Sequence, residues 1–374
     1  MRVISDNDPF RSQIYNPSSE TNAYANEFCQ RFINDTSRPR FIFGRNEYAK
    51  SIAALVDVDG FIDDFTEDRE FLNKPIFKGE EIPKNSLVVS VVVLGRPLTA
   101  KKRLENLKIE HLDYFSFFLH SGLKIPPVTC WDEFIKDFYA NIHEYSNVYN
   151  ILNDEESKKT FTAIINFKLS GNIQYMNNFT DRQKEQYFEK FLLLLEDEIF
   201  IDVGGYNGDT TLEFIKHCPN YKSIHFFEPD RRNMSEAKAK LGRYPSITYH
   251  TVALSDKSGF CSFTSDGSSS RMEMDGLHTI KTGKLDDIIT EPVSFIKMDI
   301  EGSEIDALKG AQEIIKRNHP KLAICAYHKG DDLRRIPQLI LSYYNDYQIF
   351  IRHYTEGVDE TVMFFIPNAE KGEY

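Results

Sequence analysis

The amino-acid sequence predicts an α/β protein with two Rossmann-like domains, because strand-like and helix-like segments alternate in two separate stretches. The first stretch covers 37–127 and the second covers 198–374. Apolar residues at helical spacing between them predict a helical connector over 128–197. Two strand-like segments close the sequence across a short polar turn, so we expect an antiparallel hairpin beside a mostly parallel sheet. The 374 residues are enough for two domains.

Composition narrows the classes of partner. The net charge is −12, and a surface this acidic repels phosphate backbones, so no nucleic-acid partner is expected. The longest apolar run, at 191–195, is too short to span a bilayer. Residues 1–36 are predicted to form a polar arm or a loose helical segment, without a signal-peptide pattern. The five cysteines are scattered and form no C-x-x-C pair, which is typical of a reducing compartment. The sequence therefore predicts a cytoplasmic protein without a membrane span.

The N-terminal α/β domain begins with the strand RPRFIFG and the helix NEYAKSIAALV, followed by a short strand in VDGFIDDF. The β-branched run at 86–95 predicts a strand buried on both faces. An amphipathic helix in LTAKKRLENLKI and a further strand in EHLDYFSFF complete the alternation. The first turn contains Gly44 and then Arg45, with no G-x-G-x-x-G, so a dinucleotide is not expected there. For this domain, a role in docking or oligomerisation is the alternative to ligand binding.

Three segments of the connector have helical spacing. The last of them, DRQKEQYFEKFLLLLE, contains Tyr187, which we consider mainly as core and alternatively as a substrate contact. The C-terminal α/β domain then alternates strands and helices to its end. Its predicted strands lie in EIFIDVGG, SIHFFEPD, ITYHTVALSD, FIKMDIEG, KLAICAYH, YQIFIRHY and ETVMFFIP.

The strongest local signal is the strand–turn–helix IDVGGYNGDTT at 201–211. Its glycines allow close approach of a ligand to the backbone, whereas the alternative is a simple tight turn with Asp209 as the helix N-cap. Glu228 ends the next strand, 26 residues after Asp202, where an acid is placed to bind both hydroxyls of a ribose. The candidate cofactor contacts in the turn are Asp202, Gly204, Gly205, Gly208, Asp209 and Thr210.

The charges of this turn indicate which nucleoside cofactor it suits. The spacing is D-x-G-G-x-x-G, and carboxylates near the turn would repel a pyrophosphate. They suit a cofactor that carries an ammonium and a sulfonium, which is S-adenosylmethionine. After the third strand, Asp256 is placed to accept a hydrogen bond from the adenine amino group. Three neighbouring residues complete the candidate cofactor contacts: Pro229, Ser255 and Asp299.

Polar residues that follow the later strands are candidates for catalysis. Asp299, Glu301 and His328 come after FIKM and AICAY, and ligands of such sheets bind outside the carboxyl ends of the strands. A hydroxyl is a weak nucleophile near neutral pH, so we rank His328 first and Asp299 second as its general base. The alternatives are a helix-dipole role for Glu301 and a backbone-bonded His328. The spacing matches no dedicated metal motif, so no metal ligand is assigned; a carboxylate–histidine metal site of these residues is the alternative.

The segment FIKMDIEGSEIDALKGA at 295–311 resembles the signature block of the FkbM family of S-adenosylmethionine-dependent methyltransferases. The resemblance continues through DVGGYNGDTT, FFEPD, VALSD, KLDDI, AYHKGDDL and RHY…ETVMFFIP, and it covers 185–367. It implies a class I methyltransferase fold and, usually, O-methylation of polyketide or saccharide hydroxyls. The stretch 261–284 resembles the serine-containing segment that borders the family's site, with a solvated loop as the alternative. Its candidate acceptor contacts are Ser269, Ser270 and Arg271.

Three functions remain open from the sequence. The first is an S-adenosylmethionine-dependent O-methyltransferase that acts on a saccharide, a nucleotide-sugar or a related small metabolite and releases S-adenosylhomocysteine. The second is a nicotinamide-dependent sugar-nucleotide oxidoreductase, which the missing G-x-G-x-x-G and the absence of a Y-x-x-x-K pair in the N-terminal domain oppose. The third is a non-enzymatic partner in glycan assembly. A homo-oligomer is compatible with each of them.

Overall fold

The computed structural model describes residues 8–16, 23–128, 130–264, 271–272 and 278–368. The chain divides into two compact units. Unit 1 takes its residues from 1–140, 159–183 and 353–359, and unit 2 takes the others, from 141–158, 184–352 and 360–374. Residues of the predicted connector, 128–197, fall in both units.

Unit 1 contains a six-stranded sheet in the order β3-β4-β2-β1-β5-β6. All its described pairs are parallel except β3 with β4. The strands are β1 (Arg40–Phe43), β2 (Gly60–Ile62), β3 (Glu70–Phe71), β4 (Lys74–Phe77), β5 (Leu87–Ser90) and β6 (Glu110–Asp113). Six α-helices precede β7 (Ile199–Val203) in the described part of the chain: α1 (Ala23–Asn34), α2 (Glu47–Ala53), α3 (Pro97–Asn106), α4 (Tyr114–His120), α5 (Trp131–Ile151) and α6 (Glu155–Ser170).

Two predicted segments of unit 1 are more precisely defined by the structure. Of the two interpretations of residues 1–36, the helical one holds for α1, which buries Ala25, Phe28, Cys29 and Phe32 at the helical spacing of a core-facing stripe. The segment EHLDYFSFF is a strand only as far as Asp113, whose side chain accepts a hydrogen bond from the Ser116 backbone at 2.9 Å. This cap starts α4 at the next residue, so the apolar run continues as a helix.

The main sheet of unit 2 has seven strands in the order β16-β17-β15-β14-β7-β8-β9. Strands β15, β14, β7, β8 and β9 are parallel, and β17 is antiparallel to β15. The elements of this sheet and its helices are β7 (Ile199–Val203), α7 (Asp209–His217), β8 (Ser223–Phe227), α8 (Arg231–Leu241), β9 (Ile247–His250), β14 (Phe295–Met298), α10 (Glu304–Lys309), α11 (Gln312–Asn318), β15 (Lys321–Cys325), α12 (Asp332–Tyr343), β16 (Tyr347–His353) and β17 (Thr361–Pro367).

A second, four-stranded sheet in unit 2 has the order β10-β13-β11-β12. It is built from β10 (Ala253–Leu254), β11 (Gly259–Thr264), β12 (Arg271–Met272) and β13 (His278–Gly283), and α9 (Leu285–Ile288) follows it. The predicted third strand therefore divides: 247–250 stay in the main sheet, and 253–254 join the second sheet. No helix among the described residues is long and apolar enough to span a bilayer.

The segment 181–196 is not the helix that its apolar spacing predicts. It contains two single 3-10 turns, Gln183–Glu185 and Lys190–Leu192. Tyr187 and Leu193 have left-handed backbones, with φ of 72° and 44°, which a continuous helix does not allow. The buried Tyr187 side chain bonds to Asp299 instead, so tertiary contacts override the local helical pattern.

Candidate functional site

The carboxyl ends of β8, β7, β14 and β15 lie side by side at one edge of the main sheet in unit 2. Register places Val203 opposite both Phe227 and Met298, and Met298 opposite Ile324. The residues that follow these strands therefore share an edge. They include Glu228, Gly204, Asp299 and His328, as the sequence predicts for a ligand site.

The turn after β7 requires glycine at two positions. Gly204 has φ of 74°, and a Cβ there would lie 1.8 Å from the Asp299 carbonyl oxygen. A Cβ on Gly205 would lie 2.1 Å from the Phe226 ring. The amide groups of both glycines donate to the Phe227 carbonyl at 3.0 Å. The turn is thus packed tightly against the neighbouring strands, and its position is fixed.

The helix after this turn, α7, does not have the N-cap that the simple-turn alternative predicts. Its N-cap is Gly208, with φ of 89°, and not Asp209. The exposed Asp209 side chain forms an ion pair with Lys240 on α8, and Thr210 is half-buried. A capping role for Asp209 is therefore wrong, whereas the cofactor contacts of Gly208, Asp209 and Thr210 stay predictions.

Asp202 forms a buried ion pair that the sequence analysis missed. Both Asp202 and Lys297 are almost fully buried, and Lys297 Nζ lies 3.1 Å from Asp202 Oδ1. Burial lowers the pKa of Lys297, but the Asp202 and Asp299 carboxylates outweigh burial, so this pKa is raised overall. Lys297 also donates to the Gly204 carbonyl at 2.8 Å, and Thr211 donates to Asp202 Oδ2 at 2.6 Å. This pair therefore supports the glycine turn from inside the sheet.

Glu228 presents a buried carboxylate immediately after β8. Its two oxygens accept hydrogen bonds from the backbone N–H groups of Tyr206, at 3.0 Å, and Asp230, at 2.8 Å. Burial raises its pKa to about 7. The Asn233 side chain also hydrogen-bonds to this carboxylate. Because a carboxylate offers about four lone-pair sites, it can still accept a hydrogen bond from a ligand hydroxyl.

The residues predicted near the adenine ring follow the second sheet rather than β9. Ser255 is buried, and its backbone N–H donates to the Gly283 carbonyl at 3.0 Å. Its hydroxyl lies 3.3 Å from Asp256 Oδ1. Pro229 is half-buried beside Glu228. The structure does not test whether these residues contact adenine, so their roles stay predictions.

A histidine and three carboxylates form what we call the His328 cluster: Asp299, Glu301, Glu304 and His328. His328 Nε2 lies 3.5 Å from Asp299 Oδ1 and 3.7 Å from Glu301 Oε2. On the other side of the ring, Nδ1 donates to Glu304 Oε1 at 2.9 Å. Glu304 is 1% exposed and also accepts from the Ile300 backbone at 2.9 Å. The sequence analysis left the contact between Glu304 and His328 unnoticed.

The charges around His328 change its expected protonation. Burial lowers its pKa, but the adjacent Glu304 carboxylate, with Asp299 and Glu301, outweighs burial and raises this pKa to about 10. In this arrangement both ring nitrogens are protonated at neutral pH. A general-base role therefore requires that His328 first lose a proton.

Tyr187 reaches the same cluster from the irregular segment before β7. Its hydroxyl donates to Asp299 Oδ2 at 2.8 Å and accepts from Gln186 Nε2 at 3.0 Å. Burial, followed by the charge of Asp299, raises the Tyr187 pKa well above its usual value. Tyr187 thus orients Asp299 as a neutral hydroxyl, and Gln186 is a further residue that the sequence analysis missed.

The predicted acceptor contacts cannot be placed together. Ser269 and Ser270 lie outside the described residues. Arg271 is the first residue of β12, and its backbone pairs with that of Thr264 on β11. The described part of 261–284 is therefore largely strand rather than the solvated loop of the alternative interpretation.

The strand order with its antiparallel β17, together with a glycine turn after β7, defines a class I Rossmann-like methyltransferase fold. Residues 202–349 match the family model described as the methyltransferase FkbM domain. Over these residues the chain is similar to the FkbM methyltransferases. This match confirms the resemblance to that family and the fold class predicted from the sequence.

Two similar proteins support this assignment. A crystal structure of methyltransferase FkbM from Methylobacillus flagellatus KT is 26% identical, with a TM-score of 0.77; the match covers 96% of this chain and 98% of that one. The 2-O-methyltransferase NoeI of Sinorhizobium fredii (strain NBRC 101917 / NGR234) is 24% identical over 152 residues. That match covers 34% of this chain and 62% of the length of NoeI.

Proposed function

We propose that this chain transfers a methyl group from S-adenosylmethionine to a hydroxyl oxygen of a saccharide, a nucleotide-sugar or a related small metabolite. The observation that carries the proposal is the common sheet edge, where the glycine turn and Glu228 adjoin the His328 cluster. The name of NoeI, a 2-O-methyltransferase, supports oxygen as the acceptor atom. The predictions of a cytoplasmic location, a homo-oligomer and no nucleic-acid partner stay predictions.

The donor set fits S-adenosylmethionine. Glu228 keeps acceptor capacity for a ribose hydroxyl, and the tightly packed Gly204 leaves no side chain between ligand and backbone. When bound, S-adenosylmethionine supplies a methyl group on a positively charged sulfur, which suits an edge rich in carboxylates. Asp202 contributes through the turn, since its carboxylate is fully buried against Lys297 and Thr211.

The His328 cluster provides the chemistry that a hydroxyl acceptor needs. A hydroxyl must lose its proton as the new bond to oxygen forms, and charged side chains at the acceptor promote this loss. Asp299 is a partly exposed carboxylate of the cluster, with 23% of its side chain accessible, and Tyr187 fixes its orientation. Carboxylate and imidazole groups also hydrogen-bond to hydroxyl-rich acceptors such as saccharides.

No observation favours the nicotinamide-dependent alternative. In unit 1, Arg45 follows Gly44 in the turn after β1, and Asp63 and Asp68 already pair with its guanidinium at 2.8 and 3.0 Å. That arrangement offers no glycine-rich helix start for a pyrophosphate.

The proposal is tested by incubating the full chain with methyl-labelled S-adenosylmethionine and a panel of free sugars, nucleotide-sugars and amine-containing controls. We expect the label in an O-methyl ether, with one S-adenosylhomocysteine formed per methyl group transferred. Label only in amine acceptors would contradict hydroxyl methylation.

The raised pKa of Glu228 predicts a pH dependence of cofactor binding. The ionised carboxylate is the better acceptor of hydrogen bonds from the ribose hydroxyls. Because the pKa of Glu228 is about 7, the carboxylate becomes protonated as the pH falls through this value. We expect the affinity for S-adenosylhomocysteine to fall about tenfold from pH 8 to pH 6, measured by calorimetry. Glu228→Gln should bind more weakly at pH 8 and remove this dependence. An unchanged pH profile in the variant would show that another group is responsible.

A further inference from the structure

We infer that the His328 cluster is a binding site for a divalent cation of the Mg²⁺ or Mn²⁺ class. This inference deepens the proposed methyl transfer and rests on it. It starts from the positions of ligand-type atoms: carboxylate oxygens of Asp299 and Glu304 and a ring nitrogen of His328 all lie within 4.8 Å of one another. These atoms come from two separate segments of the sequence, 299–304 and His328, and the fold brings them to the sheet edge.

The distances from His328 Nε2 to two carboxylate oxygens are typical of atoms that bind one ion, and they are longer than ordinary hydrogen bonds. Its separations from Asp299 Oδ1 and Glu301 Oε2 are 3.5 and 3.7 Å. Ordinary N–H···O bonds are shorter, at about 2.7–3.2 Å. Atoms that each lie about 2.1 Å from a common ion are roughly 3–4 Å apart, which matches both separations from Nε2.

The other side of the imidazole is arranged as in known metal sites. Glu304 accepts the Nδ1 proton at 2.9 Å and is itself held by the Ile300 backbone N–H. A carboxylate bonded to the distal nitrogen fixes the ring orientation and directs the other nitrogen toward an ion. Glu304 is therefore a positioning residue, whereas Asp299, Glu301 and His328 would be the direct ligands. Because a histidine binds a metal through a neutral nitrogen, Nε2 would release its proton to solvent when the ion binds.

The ligand chemistry selects the class of ion. Two carboxylates and one imidazole form a mixed oxygen and nitrogen set without thiolates, which favours Mg²⁺ or Mn²⁺ over soft metals. The partial exposure of Asp299 and Glu301, at 23% and 27% of their side chains, leaves room for water or an acceptor hydroxyl on the ion. A divalent cation stabilises negative charge on such an oxygen and so eases the loss of its proton to solvent.

The test uses the full chain, stripped of metals with a chelator and titrated with Mn²⁺ while free Mn²⁺ is followed by electron paramagnetic resonance. We expect one Mn²⁺ bound per chain. Asp299→Asn and Glu301→Gln should each weaken its binding by about 10–100-fold. The matched control is Glu291→Gln, which removes the carboxylate 2.7 Å from His225 in the same unit. This variant should bind Mn²⁺ like the wild type.

Circular dichroism confirms that each variant is folded, and binding of S-adenosylhomocysteine by the wild type, measured in the same samples, separates this inference from the proposed function. Wild-type protein that binds S-adenosylhomocysteine but no Mn²⁺ at millimolar concentration would overturn the metal site and leave the methyltransferase proposal intact. Mn²⁺ binding that survives both cluster variants would overturn it as well, because the ion would then lie elsewhere. Loss of S-adenosylhomocysteine binding by the wild type would instead contradict the proposed function.

Discussion

Lys297→Met is expected to lower the free energy of unfolding by about 3–5 kcal/mol. The substitution leaves the Asp202 carboxylate fully buried without the ammonium group that lies 3.1 Å from it. It also removes the donor to the Gly204 carbonyl, so the glycine turn should loosen and bind S-adenosylhomocysteine more weakly. Urea unfolding and calorimetry measure the two effects.

The double variant Asp202→Asn with Lys297→Met separates charge from packing. Because it leaves no uncompensated charge in the sheet, it should recover a large part of the lost stability. Lys216→Met is the matched control, since Lys216 is exposed and pairs with Glu213 at the surface, and its unfolding midpoint should hardly change. A Lys297→Met variant as stable as the wild type would contradict the claim that the buried ion pair stabilises the fold.

His328→Ala is expected to reduce turnover by about 10²–10⁴-fold while the affinity for S-adenosylhomocysteine stays within a few-fold of the wild type. His328 contacts Asp299, Glu301 and Glu304 at the site proposed for the acceptor, and no described contact joins it to Glu228. Lower turnover with nearly unchanged cofactor affinity is the result expected for a residue that acts at the acceptor site. Single-turnover kinetics and calorimetry measure the two quantities.

The control for this variant is His217→Ala, which removes a half-exposed histidine from α7 in the same unit. It should leave turnover unchanged. Comparable turnover in His328→Ala and wild type would remove His328 from the mechanism, both as a proton acceptor and as a cation ligand.

The strands of unit 2 could be predicted from the sequence because they are short runs of apolar residues. Every residue of β7 and β14 is buried, as expected for parallel strands covered on both faces. The segment 181–196 could not be predicted, because the bond from Tyr187 to Asp299 joins residues 112 positions apart. Helical spacing of apolar residues carries no information about such a partner.

The sequence also predicted which strand ends form the candidate site, but not how its charges pair. Lys297 lies directly opposite Asp202 in the register of β14 and β7, a relation that depends on strand order. The available signal was one lysine inside an otherwise apolar strand. Likewise, Glu304 has the position expected of an acid in the first turn of a helix, and only the fold shows that His328 lies beside it.

The central claim is that the sheet edge in unit 2 binds the methyl-donor cofactor. Calorimetric titration of the full chain with S-adenosylhomocysteine, and separately with NAD⁺, tests this claim most directly. We predict one S-adenosylhomocysteine site per chain, weakened by Glu228→Gln, and no binding of NAD⁺. Binding of NAD⁺ without binding of S-adenosylhomocysteine would contradict the account.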